Sequence, residues 1–144
     1  MSSHAYIRLV PVSEKESVTT DEVIELLNYY KHITDKTGAQ LKWEYEEAAF
    51  PYKILEKPEG KGKWFYLKSE EPNYNIILLG VDRKTIVQED GTEYEQTYIQ
   101  MTLPETSTFG DKGKANEFCK FLAKKLKGEL QLFNGRVMYF YPRK

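Results

Sequence analysis

A chain of 144 residues, 30% charged and 40% hydrophobic, suits one globular domain (residues 1–144) whose core needs neither metal nor disulfide. The single cysteine, Cys119, excludes an internal disulfide, and the longest apolar run, residues 76–79, is too short to span a bilayer. The net charge of −1 is unevenly spread: of 21 Lys and Arg and 22 Asp and Glu, nine and three fall within residues 111–144. A solvated lysine stripe is the simpler account of that asymmetry, and an anionic partner the alternative. The first residues lack a basic region followed by an apolar stretch, so a cytosolic protein is expected. Aromatics reach 14%, with 11 tyrosines, which suit half-buried sheet faces and binding surfaces.

Taken in order, residues 5–10 read as a strand ended by Pro11. Thr19 and Glu22 form a capping box for a helix whose apolar face is Val23, Leu26, Leu27, Tyr30, Ile33 and Thr37, with Gly38 as its stop. His32 falls on the polar face and His4 stands alone, so no metal-ligand spacing exists. Residues 41–50 have helical spacing up to Pro51. Glu44, Glu46 and Glu47 there read as a solvated face rather than an acid–base pair.

Residues 52–57 and 63–68 read as strands joined by a glycine-rich tip, with Trp64 and Tyr66 on one face and Phe65 and Leu67 on the other. The tip lacks the spacing of a phosphate-binding loop. Residues 76–81 are apolar almost throughout, so a central strand buried on both faces is expected. A two-residue turn at Asp90-Gly91 would pair Leu78 with Leu103 and Gly80 with Met101, with Ile99, Met101 and Leu103 on the core face. Gly80 would then mark a bulge or the close approach of a helix.

The last third is the most legible. A helix starting near 111–113 places Ala115, Phe118, Cys119, Leu122 and Leu126 on one face and Lys120, Lys124 and Lys127 on the other. Lys125, beside Phe118, is read as a snorkelling side chain. Gly128 is expected to close the helix in the left-handed conformation. Asn134-Gly135 turns a hairpin over 129–141, pairing Phe133 with Arg136, Leu132 with Val137 and Leu130 with Tyr139. One face then carries Leu130, Leu132, Val137, Tyr139 and Tyr141, the other Glu129, Gln131, Phe133, Arg136, Met138 and Phe140.

The elements imply an α+β fold, a mainly antiparallel sheet built from hairpins with two main helices packed on one face. A ferredoxin-like or RNA-recognition sandwich is the alternative, opposed by the strand count and by missing signature residues. The segments AYIRLVP (5–11), YNIILLGV (74–81), YIQMTLP (98–104) and the stretch 110–141 resemble a family of short, uncharacterised proteins from Bacillus-type bacteria. The resemblance implies a bacterial cytosolic single domain of unknown function and carries no site residues.

Function is expected to be non-enzymatic: an interaction or ligand-binding protein using an aromatic sheet face, with Phe133, Arg136, Met138 and Phe140 as candidates and self-association through that face as one form. A second reading is an anion site at the last helix start, where Gly110 and Gly113 bare the backbone and Lys112 and Lys114 add charge. Asp111 opposes it by capping the same N–H groups. Nucleic-acid binding by the basic C-terminal unit is opposed by a pI of about 6.2. A small enzyme lacking any recognisable motif is the remaining class. No cofactor and no metal are called for.

Overall fold

The computed structural model describes residues 3–10, 13, 17–41, 52–60 and 62–140, with the backbone alone over 34–41. In chain order the elements are β1 (Ser3–Arg8), α1 (Thr20–Leu41), β2 (Lys53–Leu55), a short 3-10 turn (Pro58–Gly60), β3 (Trp64–Lys68), β4 (Ile76–Val87), β5 (Glu93–Leu103), α2 (Phe109–Leu126), β6 (Glu129–Gln131) and β7 (Val137–Tyr139). The strands form one sheet in the order β2-β3-β4-β5-β1-β6-β7, antiparallel at every junction. This is the expected α+β architecture. β2 to β5 make a meander, while β1, first in the chain, is inserted between β5 and β6.

Both helices lie on one face. Ala5, Ile7, Phe65, Leu67, Ile77, Leu79, Ile99, Met101 and Leu130 point to that face and are buried under Phe118, Cys119, Leu122 and Ala123 of α2 and Val23 and Leu27 of α1. Alternation along each strand sends the other side chains to the opposite face, which is uncovered among the described residues. Burying these side chains supplies most of the folding drive, at roughly 1.5–3 kcal/mol for each large one.

The capping box of α1 is present: Thr19 N–H donates to Glu22 Oε1 at 3.2 Å and Glu22 N–H to Thr19 Oγ1 at 3.2 Å. Gly38 does not stop the helix, which continues to Leu41. A glycine inside a helix costs only about 1 kcal/mol, too little to end it alone. Of the short helix expected over 41–50, Leu41 belongs to α1, and the rest, with the acidic cluster, lies outside the described residues.

α2 begins earlier than expected, at Phe109, because Thr108 is its N-cap. It ends on Lys127, which takes the left-handed conformation (φ 53°) assigned above to Gly128. Gly128 serves packing instead: a Cβ there would lie 2.9 Å from the Arg8 carbonyl oxygen. Lys125 does more than snorkel, for its Nζ stands 4.8 Å above the centre of the Tyr29 ring.

Both hairpins turn where the sequence puts them, yet each is out by one residue. Gln88 N–H donates to Thr92 O and Gly91 N–H to Gln88 O. Leu132 N–H donates to Arg136 O and Gly135 N–H to Leu132 O in the same way. Each is therefore a three-residue loop closing on a positive-φ glycine (Gly91 at 88°, Gly135 at 87°). Leu78 thus faces Thr102 and Gly80 faces Gln100, while Leu130 faces Met138 and Glu129 faces Tyr139. Ile99, Met101 and Leu103 keep their place in the core. β4 is buried on one face only, through Ile77 and Leu79, since the helices cover one side of the sheet. Gly80 marks neither a bulge nor a helix approach: the ladders run through it unbroken and it faces away from the helices.

Candidate functional site

The start of α2 is sealed by its own chain. Thr108 Oγ1 accepts from Asp111 N–H at 3.0 Å, and the Asp111 carboxylate accepts from Thr108 N–H at 2.9 Å. Asp111 is fully buried and also accepts from Asn75 N–H at 2.9 Å, Ile76 N–H at 3.1 Å and the Tyr52 hydroxyl at 2.5 Å. Gly110 is pressed against the neighbouring loop, where an added Cβ would sit 2.4 Å from Asn73 O. Lys114 pairs with Glu117 at 3.2 Å, and Lys112 and Gly113 are exposed. The negative charge that satisfies the helix start thus comes from Asp111, the capping role that opposes the anion site.

The shifted register divides the hairpin candidates. Phe133, Met138 and Phe140 are half-buried and pack on the core, and Arg136 is exposed near the turn. Val137 and Tyr139, 39% and 43% exposed, take the open face instead. The α2 lysines Lys120, Lys124 and Lys127 are exposed on the helical side of the sheet, away from that face.

The uncovered face holds what the sequence did not assemble. A cavity of about 900 Å³ opens over β3, β4 and β5, lined by Trp64, Tyr66, Ile76, Leu78, Gly80, Asp82, Gln100 and Thr102 and rimmed by Lys57, Lys63 and Lys68. Register explains the grouping: Tyr66, Leu78 and Thr102 form one cross-strand row, and Trp64, Gly80 and Gln100 the next. Gly80 contributes no side chain, so the cavity reaches the backbone there.

The walls are held in place. Trp64 lies against Gly60, where a Cβ would come within 2.4 Å of the indole and within 2.8 Å of its nitrogen. Those short distances to three ring atoms seat the indole against the turn backbone, and Trp64 also lines the cavity. Lys57 Nζ sits 5.7 Å above the Tyr66 ring, and Lys68 Nζ donates to Asn75 Oδ1. Gln100 Nε2 is 3.1 Å from His4 Nδ1 and 3.3 Å from Thr102 Oγ1, and His4 Nδ1 is 2.9 Å from Thr102 Oγ1. Three lysines face one acid, Asp82, giving the mouth a positive balance.

Beside the cavity, Tyr6 meets Tyr98 edge-on at 6.1 Å, and Arg8 lies over Tyr6 while binding Gln131 at 2.6 Å. Burial, with Asp82 and Tyr6 nearby, pushes the Tyr98 phenol up, so it stays a hydrogen-bond donor. Among the described residues no three His, Cys, Asp or Glu group to hold a metal. Cys119 is buried on the helical side, and burial pushes its thiol up to about 12, which keeps it protonated and unreactive.

Residues 3–142 match the family described as "Domain of unknown function (DUF1885)". The chain belongs to that family. A similar solved structure is the "Crystal Structure of Protein of Unknown Function from Bacillus stearothermophilus", 37% identical, with a TM-score of 0.54, covering 91% of this chain and 95% of that one. No curated protein matches the chain. The family and this neighbour agree with the resemblance read from the sequence. Among the described residues, no helix of this DUF1885 chain is long and apolar enough to cross a membrane.

Sequence reasoning placed Trp64 and Tyr66 together on one face but did not connect them to Gly80, Gln100 and Thr102. The signal was present in the alternation of 98–103, whose polar members Tyr98, Gln100 and Thr102 mark an uncovered face. The assumed two-residue turn hid it by moving the partner strand one residue.

Proposed function

We propose that this chain is a non-enzymatic binding module that takes a small planar molecule bearing an anionic group on the open face of its sheet. The observation that carries this is the cavity itself: Trp64 and Tyr66 beside the bare backbone of Gly80, rimmed by Lys57, Lys63 and Lys68. Its volume of about 900 Å³ lies within the range of small-molecule sites. Aromatic walls favour a flat apolar body, the lysines an acid group, and Gln100 and Thr102 a polar edge. We place the protein in the bacterial cytosol, on the Bacillus source of the similar crystal structure and the single buried thiol.

The probe is 2-naphthoate, followed by amide and indole chemical shifts. Shifts are expected at the Trp64 indole N–H, Gly80 and Gln100. 2-Naphthamide, neutral and equally flat, should bind more weakly, and Trp64→Ala should lose both. Absence of shifts at millimolar probe, or shifts centred on another surface, would overturn the reading. Sedimentation at the same concentrations separates it from self-association, because an assembly that buries this face would compete with the probe.

A further inference from the structure

Gly80 has no structural cause of the usual kinds. A glycine inside a strand weakens it, because it packs nothing and loses more chain freedom than other residues. Glycine is tolerated there for a bulge, for a left-handed backbone or for the close approach of another group. The ladders through Gly80 are unbroken, with Trp64 on one side and Gln100 on the other. Its φ lies outside the positive region, and an added Cβ would meet Lys63 O at 3.5 Å and Trp64 Cβ at 3.6 Å, both ordinary contacts. The fold therefore accepts a side chain at this position, and the space it would fill belongs to the cavity.

We infer that Gly80 is the specificity-determining floor of the pocket, where a flat ring stands against the β4 backbone between the Trp64 indole and the Gln100 amide. This rests on the binding function proposed above. Two strand spacings put the Trp64 and Gln100 backbones about 10 Å apart. Less the thickness of the two flanking side chains, that slot admits one flat ring and not a three-dimensional cage. Gly60 and Gly80 then serve Trp64 from two sides. Gly60 lets the indole lie back on the turn, and Gly80 leaves room for a ligand on its free face. The lysines at the rim take the acid group, so the ligand class is a planar ring carboxylate, sulfonate or phosphate.

Three variants and two probes test this. 2-Naphthoate should bind the wild-type chain more tightly than adamantane-1-carboxylate, which has the same charge in a cage. Gly80→Val should weaken 2-naphthoate roughly tenfold or more and Gly80→Ala by less, each melting at or above the wild-type temperature. Equal binding of the two probes would overturn the slot, as would Gly80→Val that binds 2-naphthoate like wild type while Trp64→Ala does not. In either case the binding function itself would stand. If wild type binds neither probe, the binding function fails, and the slot with it. Should Gly80→Val not fold, Gly80→Ala decides alone, since its Cβ meets only ordinary contacts: unchanged affinity refutes the slot and weakened affinity supports it.

Discussion

Asp111 ties three separate parts of the chain to one buried carboxylate: the start of α2, the entry into β4 and Tyr52. Hydrogen bonds to a charged acceptor are worth about 1.5–3 kcal/mol each, and orphaned N–H groups cost more than the bonds return. Asp111→Asn should therefore lower stability by roughly 3 kcal/mol or more, read from urea denaturation. The sequence offered Asp111 as a first-turn acid, which is its local role. Its wider role was not legible, because Tyr52 and Asn75 lie far off in sequence and follow no period. Alkaline pH tests the interior in another way. Burial pushes Cys119 from 9.0 to about 12, and burial and then the bond to Asp111 push Tyr52 above the usual range from 10.0. Both folded values are raised, so the stability they contribute is intact below the unfolded values and is lost as pH rises past 9.0 and then 10.0. The melting temperature should fall in that order, and Cys119→Ala should flatten the first part of the decline.

At the level of elements, the two hairpins share one construction. Asp90 Oδ1 accepts from Thr92 N–H and Asn134 Oδ1 from Arg136 N–H, each at 2.9 Å, before and after a left-handed glycine. Asp-Gly and Asn-Gly told where the chain reverses. They did not tell that a third residue joins the loop, and one extra residue moves every partner to the opposite face. That slip misplaced Leu78, Val137 and Tyr139, whereas the helices, whose period does not depend on a turn, were placed nearly correctly. Gly135→Ala should cost about 1 kcal/mol, because it forces an L residue into the left-handed region. A urea midpoint lowered without a change in slope would show that the cost is local.

For the whole molecule, what matters is that one sheet face is covered and the other, among the described residues, is not. The covered face was legible from periodicity. The open one was legible only in part, since a cavity formed across three strands depends on register. Its geometry makes a prediction about a residue that lies behind the cavity wall and does not line the cavity. Gly60→Ala would push the Trp64 indole out of its seat and should weaken 2-naphthoate several-fold, while the melting temperature changes little.

The place of β1 has a further consequence for how the chain is made. A ribosome delivers the amino end first, so this strand is released long before β5 and β6, between which it lies, have been synthesised. β2 to β5 can zip together as each arrives, every strand meeting the one just before it. β1 has to wait with both edges bare, then enter beside β5, and its second edge closes only when Glu129–Gln131 follows. The earliest strand is thus enclosed only near the end of synthesis, just before β7 closes over β6, and during that wait its unpaired backbone is open to any passing strand, including one from another nascent copy.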